Sequence, residues 1–172
     1  RGGLQRAHTR LMPEGDSIWH DANRLRPVLE GHELLAVRCR WPRVVAGFQG
    51  ARIQAIETHG KNLLLRGSMG VTLRIHLMMT GNWRVFRGSE FPHEDLGLAL
   101  TTEAGSAVCY RVPEVERIDD RLLATHRVLA ALGPDVLLEG FAPAEAVSRA
   151  PSDVSVGELL LDQRVAAGIG NV

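Results

Sequence analysis

Apolar residues recur every three or four positions near the amino end. Ile18, Ala22, Leu25 and Leu29 fall on one stripe, which predicts a helix over residues 17–30. Asp16 or Ser17 can cap its start and Gly31 can close it, while Pro27 should kink or shorten its last part. The period then drops to two. Leu35, Val37 and Cys39 alternate with Ala36, Arg38 and Arg40, as in a half-buried strand. Residues 41–50, with Pro42 and two glycines, read as a loop. Residues 52–58 and 62–66 form two strands joined at His59-Gly60-Lys61, which puts Lys61 at a hairpin turn. Val71, Leu73, Ile75 and Leu77 alternate with Thr72, Arg74, His76 and Met78, so Arg74 and His76 are expected on one face, away from the core. Past the turn signal Thr80-Gly81-Asn82, strands follow at residues 82–86, 96–100 and 107–112. Strands at this spacing predict an antiparallel sandwich or barrel.

The pattern then returns to helical. Residues 119–132 read as a helix stopped by Gly133-Pro134, and residues 143–149 as a short helix with Pro143 at its first position. Ser155 and Glu158 have the form of a capping box ahead of Leu159, Leu160 and Leu161, for a third helix reaching about residue 166. Residues 167–171 read as a tight turn into a further helix. The fold class expected is α+β: an antiparallel β-sandwich led by an N-terminal helix (residues 12–118, after a leader at 1–11), followed by the start of a truncated helical domain (residues 119–172).

An apolar fraction of 45% suffices for a buried core, and no apolar run approaches the ~18 residues of a membrane helix. Cys39 and Cys109 give neither a disulfide framework nor a four-ligand metal site, which points to a cytoplasmic protein. The zero net charge conceals an asymmetry. Residues 1–88 carry 14 basic and 6 acidic side chains, net +8; residues 89–172 carry 6 and 14, net −8. The basic half suits a polyanion surface, or is a solvated face whose charges happen to segregate. Lys61 is the only lysine among the 20 basic residues, and an ammonium, unlike a guanidinium, can lose its proton.

Candidate chemistry lies at Met12-Pro13-Glu14-Gly15-Asp16. If translation starts at Met12 and that residue is trimmed, the Pro13 nitrogen becomes a free secondary amine, nucleophilic and able to form an iminium ion. Glu14 then places a carboxyl group beside it for proton transfer. With residues 1–11 retained, the same nitrogen is an amide and attacks nothing. The plainer alternative is that Pro-Glu simply opens a helix.

Four stretches together resemble the formamidopyrimidine-DNA glycosylase and endonuclease VIII family of base-excision repair enzymes. They are the Met12–Asp16 opening, His59-Gly-Lys-Asn-Leu-Leu-Leu65, His76-Leu-Met-Met-Thr-Gly81, and Leu159-Leu-Leu-Asp-Gln-Arg-Val-Ala-Ala-Gly-Ile-Gly-Asn171. Leu132-Gly-Pro-Asp-Val136 fits the family's linker, and Pro-Glu-Gly with Leu-Leu-Leu-Asp-Gln looks like the endonuclease VIII branch.

The resemblance implies roles residue by residue. Pro13 would attack the sugar's anomeric carbon and form a Schiff base, with Glu14 shuttling protons. Lys61 would reach the site from its hairpin and depress the Pro13 amine pKa. His76 would contact a backbone phosphate, Met79 would fill the gap left by a flipped base, and Asn171 with the amides of the 168–170 turn would hold a phosphate in a helix–two-turn–helix motif. The implied function is a glycosylase with β,δ-elimination abasic-site lyase activity on oxidised bases, pyrimidines preferred. It would act on double-stranded damaged DNA, as a monomer in the bacterial cytoplasm at the nucleoid.

Departures accompany these matches. Ser17 stands where the family often has a second Glu. Pro113–Ile118 replaces an Arg-Arg-Phe wedge loop, and Arg117 is not assigned to that role. A full-length member would carry a structural zinc; this chain is expected to hold no cofactor. Ordinary alternatives stay open: a solvated turn for Lys61, a solvated face for His76, a core position for Met79. For the whole chain they are a non-catalytic damaged-DNA-binding paralogue or inactive fragment, or a sandwich interaction domain without a nucleic-acid role.

Overall fold

In the computed structural model, which describes residues 14–170, the chain opens with helix α1 (Gly15–Leu29). It buries the expected stripe of Ile18, Ala22, Leu25 and Leu29, joined by Val28. Its start differs from expectation. Glu14 occupies the cap position without a side-chain bond, Asp16 accepts from its neighbour Ser17, and the Gly15 N–H donates to Gly168 O at 3.0 Å. The helix end is thus satisfied by a distant turn rather than by its own cap. Pro27 shortens nothing: α1 continues two residues beyond it, and Glu30 N–H closes on Arg26 O at 2.9 Å.

Eight strands follow: β1 (Ala36–Cys39), β2 (Ile53–His59), β3 (Asn62–Gly67), β4 (Val71–His76), β5 (Asn82–Phe86), β6 (Leu96–Thr102), β7 (Gly105–Tyr110) and β8 (Glu114–Asp119). They form two antiparallel four-stranded sheets, ordered β1-β6-β7-β5 and β2-β3-β4-β8. Leu63, Leu65, Leu73 and Ile75 from one sheet meet Leu98, Leu100, Ala107 and Cys109 from the other, and α1 adds its stripe to the same core. The exposed edge of β2 is covered by α1, where Arg26 donates to Ile56 O at 2.9 Å and Glu30 accepts from Ile56 N–H at 3.2 Å.

Further expectations need correction. Residues 113–118 are mostly strand β8, not a loop. Glu-Val-Glu-Arg-Ile-Asp hides its strand character because Val115 faces the main core while Ile118 joins a second cluster with Leu64 and Leu129 on the outer face. Arg74, expected to face outward, is 2% exposed because β8 and residues 120–132 cover that face. The helix expected over 119–132 is replaced by two 3-10 turns, Asp120–Thr125 and Leu129–Ala131. The break falls at His126, whose ring bonds Glu116 at 3.0 Å. The segment thereby lies flat, with Leu123, Leu129 and Leu132 on the sheet.

Helices α2 (Pro143–Ser148) and α3 (Val156–Leu161) follow, α3 with the expected Ser155–Glu158 capping box. It ends at Leu161 rather than near 166, because Asp162 accepts from Arg164 N–H and turns the chain. Among the described residues no helix is long and apolar enough to cross a membrane.

Candidate active site

Three separate segments converge where α1 begins. The first is Glu14, whose side chain is 12% exposed. The second is the β2–β3 hairpin, where Gly60 takes φ +57° in a two-residue turn and the next residue, Lys61, points back to α1. Lys61 Nζ lies 2.7 Å from Glu14 Oε2, and its side chain is 25% exposed. That oxygen is buried and, among the described residues, has no hydrogen-bond partner besides this ion-pair contact. The third segment is the 168–170 turn.

The turn fits because it is made of glycines. Gly168 takes φ +96°, a Cβ on Gly15 would lie 2.7 Å from Gly168 O, and a Cβ on Gly170 would fall on the Glu14 carboxylate. Two polar side chains hold the arrangement. Asp135, 5% exposed, accepts from Gly60 N–H at 2.6 Å and from Leu137 N–H at 2.9 Å, tying the lysine hairpin to the linker. Gln163 accepts from Gly168 N–H at 2.9 Å and donates to Ile169 O at 2.7 Å. The Gly168 amide is therefore already engaged, so only the later amides of the turn are left for an anion.

His76 ends β4, paired across the sheet with Asn62 on one side and Glu114 on the other. Burial lowers its pKa below the ordinary imidazole value; Glu114 works against that, and Arg74 and Lys61 add to it. The shift favours the neutral ring, and among the described residues its buried Nδ1 has no partner. Met79 is 66% exposed, in a turn where Met78 adopts φ +46° and Thr80 Oγ1 donates to Arg111 O at 3.1 Å. This excludes a core position for Met79. Arg117 stands in β8 and donates to Ala46 O, remote from any wedge.

The structure brings Glu14, Lys61 and the glycine turn together and puts His76 within the field of Lys61. Pro13 and Asn171, bonded to Glu14 and Gly170, lie outside the described residues. Sequence reasoning missed Asp135, Gln163, Asn62 and the buried Arg74. The first three stood inside recognised motifs, and the signal for Arg74 was the pair of acids, Glu114 and Glu116, two residues apart. Among the described residues no group of three or more His, Cys, Asp or Glu could hold a metal, and Cys39 and Cys109 stand on strands separated by β6. The zinc implied by the resemblance has no fitting ligand set in this stretch.

The description "Formamidopyrimidine-DNA glycosylase N-terminal domain" belongs to the family model that matches residues 12–113. The chain is 38% identical over 168 residues to the probable endonuclease 8 2 of Streptomyces coelicolor, covering 94% of this chain and 60% of that protein. It is 34% identical over 164 residues to the DNA-(apurinic or apyrimidinic site) lyase Nei2 of Mycolicibacterium smegmatis, covering 94% and 64%. A solved structure of Lactococcus lactis formamido-pyrimidine DNA glycosylase, non-covalently bound to DNA containing an AP site, superposes with a TM-score of 0.78 at 21% identity, over 92% of this chain and 64% of that one. The chain thus spans less than two thirds of the length of these relatives.

Proposed function

The chain belongs to the formamidopyrimidine-DNA glycosylase family, and from that membership we propose that it is the catalytic part of a DNA glycosylase with abasic-site lyase activity, acting through the Pro13 amine. The observation that carries the reading is the Lys61–Glu14 contact of 2.7 Å, sheltered by glycines next to the residue bonded to Pro13.

The Pro13 nitrogen lone pair attacks C1′ of the damaged nucleotide. The glycosidic bond breaks and its electron pair leaves with the base. Attack leaves a proton on the ring nitrogen; Glu14 is placed to take it and pass it to O4′ as the sugar ring opens to a C1′ iminium. The iminium withdraws electrons, so loss of a C2′ proton expels the 3′ phosphate, and a second elimination expels the 5′ phosphate. Lys61 orients the Glu14 carboxylate through the 2.7 Å contact and disfavours protonation of the amine. His76 donates to a backbone phosphate, Asn171 and the later amides of the 168–170 turn hold another, and Met79 enters the stack where the base has left. The substrate is double-stranded damaged DNA. The lack of an Arg-Arg-Phe sequence at Pro113–Ile118 supports oxidised pyrimidines and abasic sites over purine lesions. The protein acts as a monomer in the bacterial cytoplasm, with residues 119–172 belonging to a partial helical DNA-binding unit, and the chemistry draws on no cofactor.

The test is cleavage of an oligonucleotide with one abasic site by the complete protein translated from Met12. Cleavage is expected to fall by at least about 100-fold in Pro13→Gly, in line with loss of a nucleophile's contribution. Undiminished cleavage by that variant overturns the assignment. Binding without cleavage in the parent, with residues ahead of Pro13 retained by intact mass, would favour a non-catalytic damage binder.

A further inference from the structure

We infer that Arg74 is a positioning residue for Lys61, acting through the side chain of Asn62. The inference deepens the lyase reading and rests on it. A guanidinium removed from water is costly unless every donor is matched, and Arg74 is buried with a side chain only 3% exposed. Three side chains from two neighbouring strands match it. Nε donates to Glu116 at 2.9 Å, one terminal nitrogen donates to Asn62 Oδ1 at 2.6 Å, and the other to Glu114.

The Asn62 contact is the one with reach. With Oδ1 facing a donor that has no acceptor capacity, the amide can adopt only one orientation. Its Nδ2 then donates to His59 O at 3.0 Å, closing the hairpin turn from inside. Lys61 lies between those two residues, and Asp135 grips the same turn from outside through Gly60 N–H. The path from the buried cation to the ammonium is therefore continuous: Arg74, Asn62, His59 carbonyl, turn, Lys61, Glu14. A lysine at position 74 keeps the charge and loses the planar fork that reaches three partners. A simple staple between β4 and β8 would need only Glu114 and Glu116. The third bond, to Asn62, is what a staple leaves unexplained.

The test uses the complete protein translated from Met12, with Arg74→Lys, Asn62→Ala, Lys61→Ala and the Asn62→Ala/Lys61→Ala double variant. Hydrogen–deuterium exchange at the amides of residues 60–62 should quicken in both Arg74→Lys and Asn62→Ala. Single-turnover cleavage of the abasic oligonucleotide should slow on the order of 10-fold in each, as misplacement of a reacting group does. In the Lys61→Ala background, Asn62→Ala should cost nothing more, because the residue it positions is gone. Unchanged exchange at the hairpin, or an Asn62→Ala loss as large without Lys61 as with it, overturns the inference. If Arg74→Lys does not fold, the Asn62→Ala pair decides alone. If the parent cleaves nothing, the lyase reading falls, and the exchange measurement still decides whether Arg74 governs the turn.

Discussion

At the scale of the residue, His76 takes its properties from three elements: its own strand β4, β8 through Glu114, and the hairpin through Lys61. Its folded pKa lies below the unfolded value of about 6.5, so the unfolded chain binds the proton more readily. Stability from this side chain is therefore present above about pH 6.5 and lost as pH falls below it. Thermal melting of the parent and His76→Gln at pH 7.5 and pH 5.5 should show the parent losing more on acidification. An equal loss in both would mean that the ring is not held neutral. Arg74 makes the opposite point: alternation with Leu73 and Ile75 marks it as outward-facing, yet its face is covered by acids that lie some forty residues later in the chain.

At the scale of the element, the 168–170 turn is shaped by what it must leave room for. A methyl group at Gly170 would displace the end of a flexible Glu14 side chain rather than backbone, so the fold can absorb it while the carboxylate cannot keep its place. Gly170→Ala should keep its melting temperature within a few degrees, about 1 kcal/mol or less, and cut single-turnover cleavage on the order of 10-fold or more. A variant cleaving at the parent rate would show that the carboxylate has freedom to spare. The elements themselves were legible in the sequence to different degrees. α1 and the first seven strands announce themselves because each packs one face on the shared core, so their apolar positions survive as a helical stripe, an alternation or, in β3 and β7, a short apolar run. β8 does not, since Val115 and Ile118 serve two different clusters and its other residues neutralise Arg74. The stretch at 120–132 misleads for a related reason. Its leucines have helical spacing, but a flat sheet face and the His126–Glu116 bond select 3-10 turns. The Glu14–Lys61 site was readable as a motif, whereas Asp135 and Gln163 act on backbone groups that exist only once distant segments have met.

At the scale of the whole molecule, the surplus of 14 basic over 6 acidic residues in the first half overstates the charge offered to a polyanion. Arg74 is enclosed by Glu114 and Glu116, acids that belong to the other half of the chain. Contacts of Arg26 and Lys61, together with Asp135 and Gln163 from the later half, hold the helix, the hairpin and the glycine turn in register, so that an ammonium meets the carboxylate of the residue bonded to Pro13. The proposed chemistry depends on that meeting and on a free ring nitrogen at position 13. The most direct measurement is peptide mapping by mass spectrometry of the borohydride-reduced adduct between the complete protein translated from Met12 and abasic-site DNA. The account predicts that the sugar remnant is carried on the amino-terminal peptide at Pro13. A remnant on the Lys61 peptide, or no adduct at all, would contradict it.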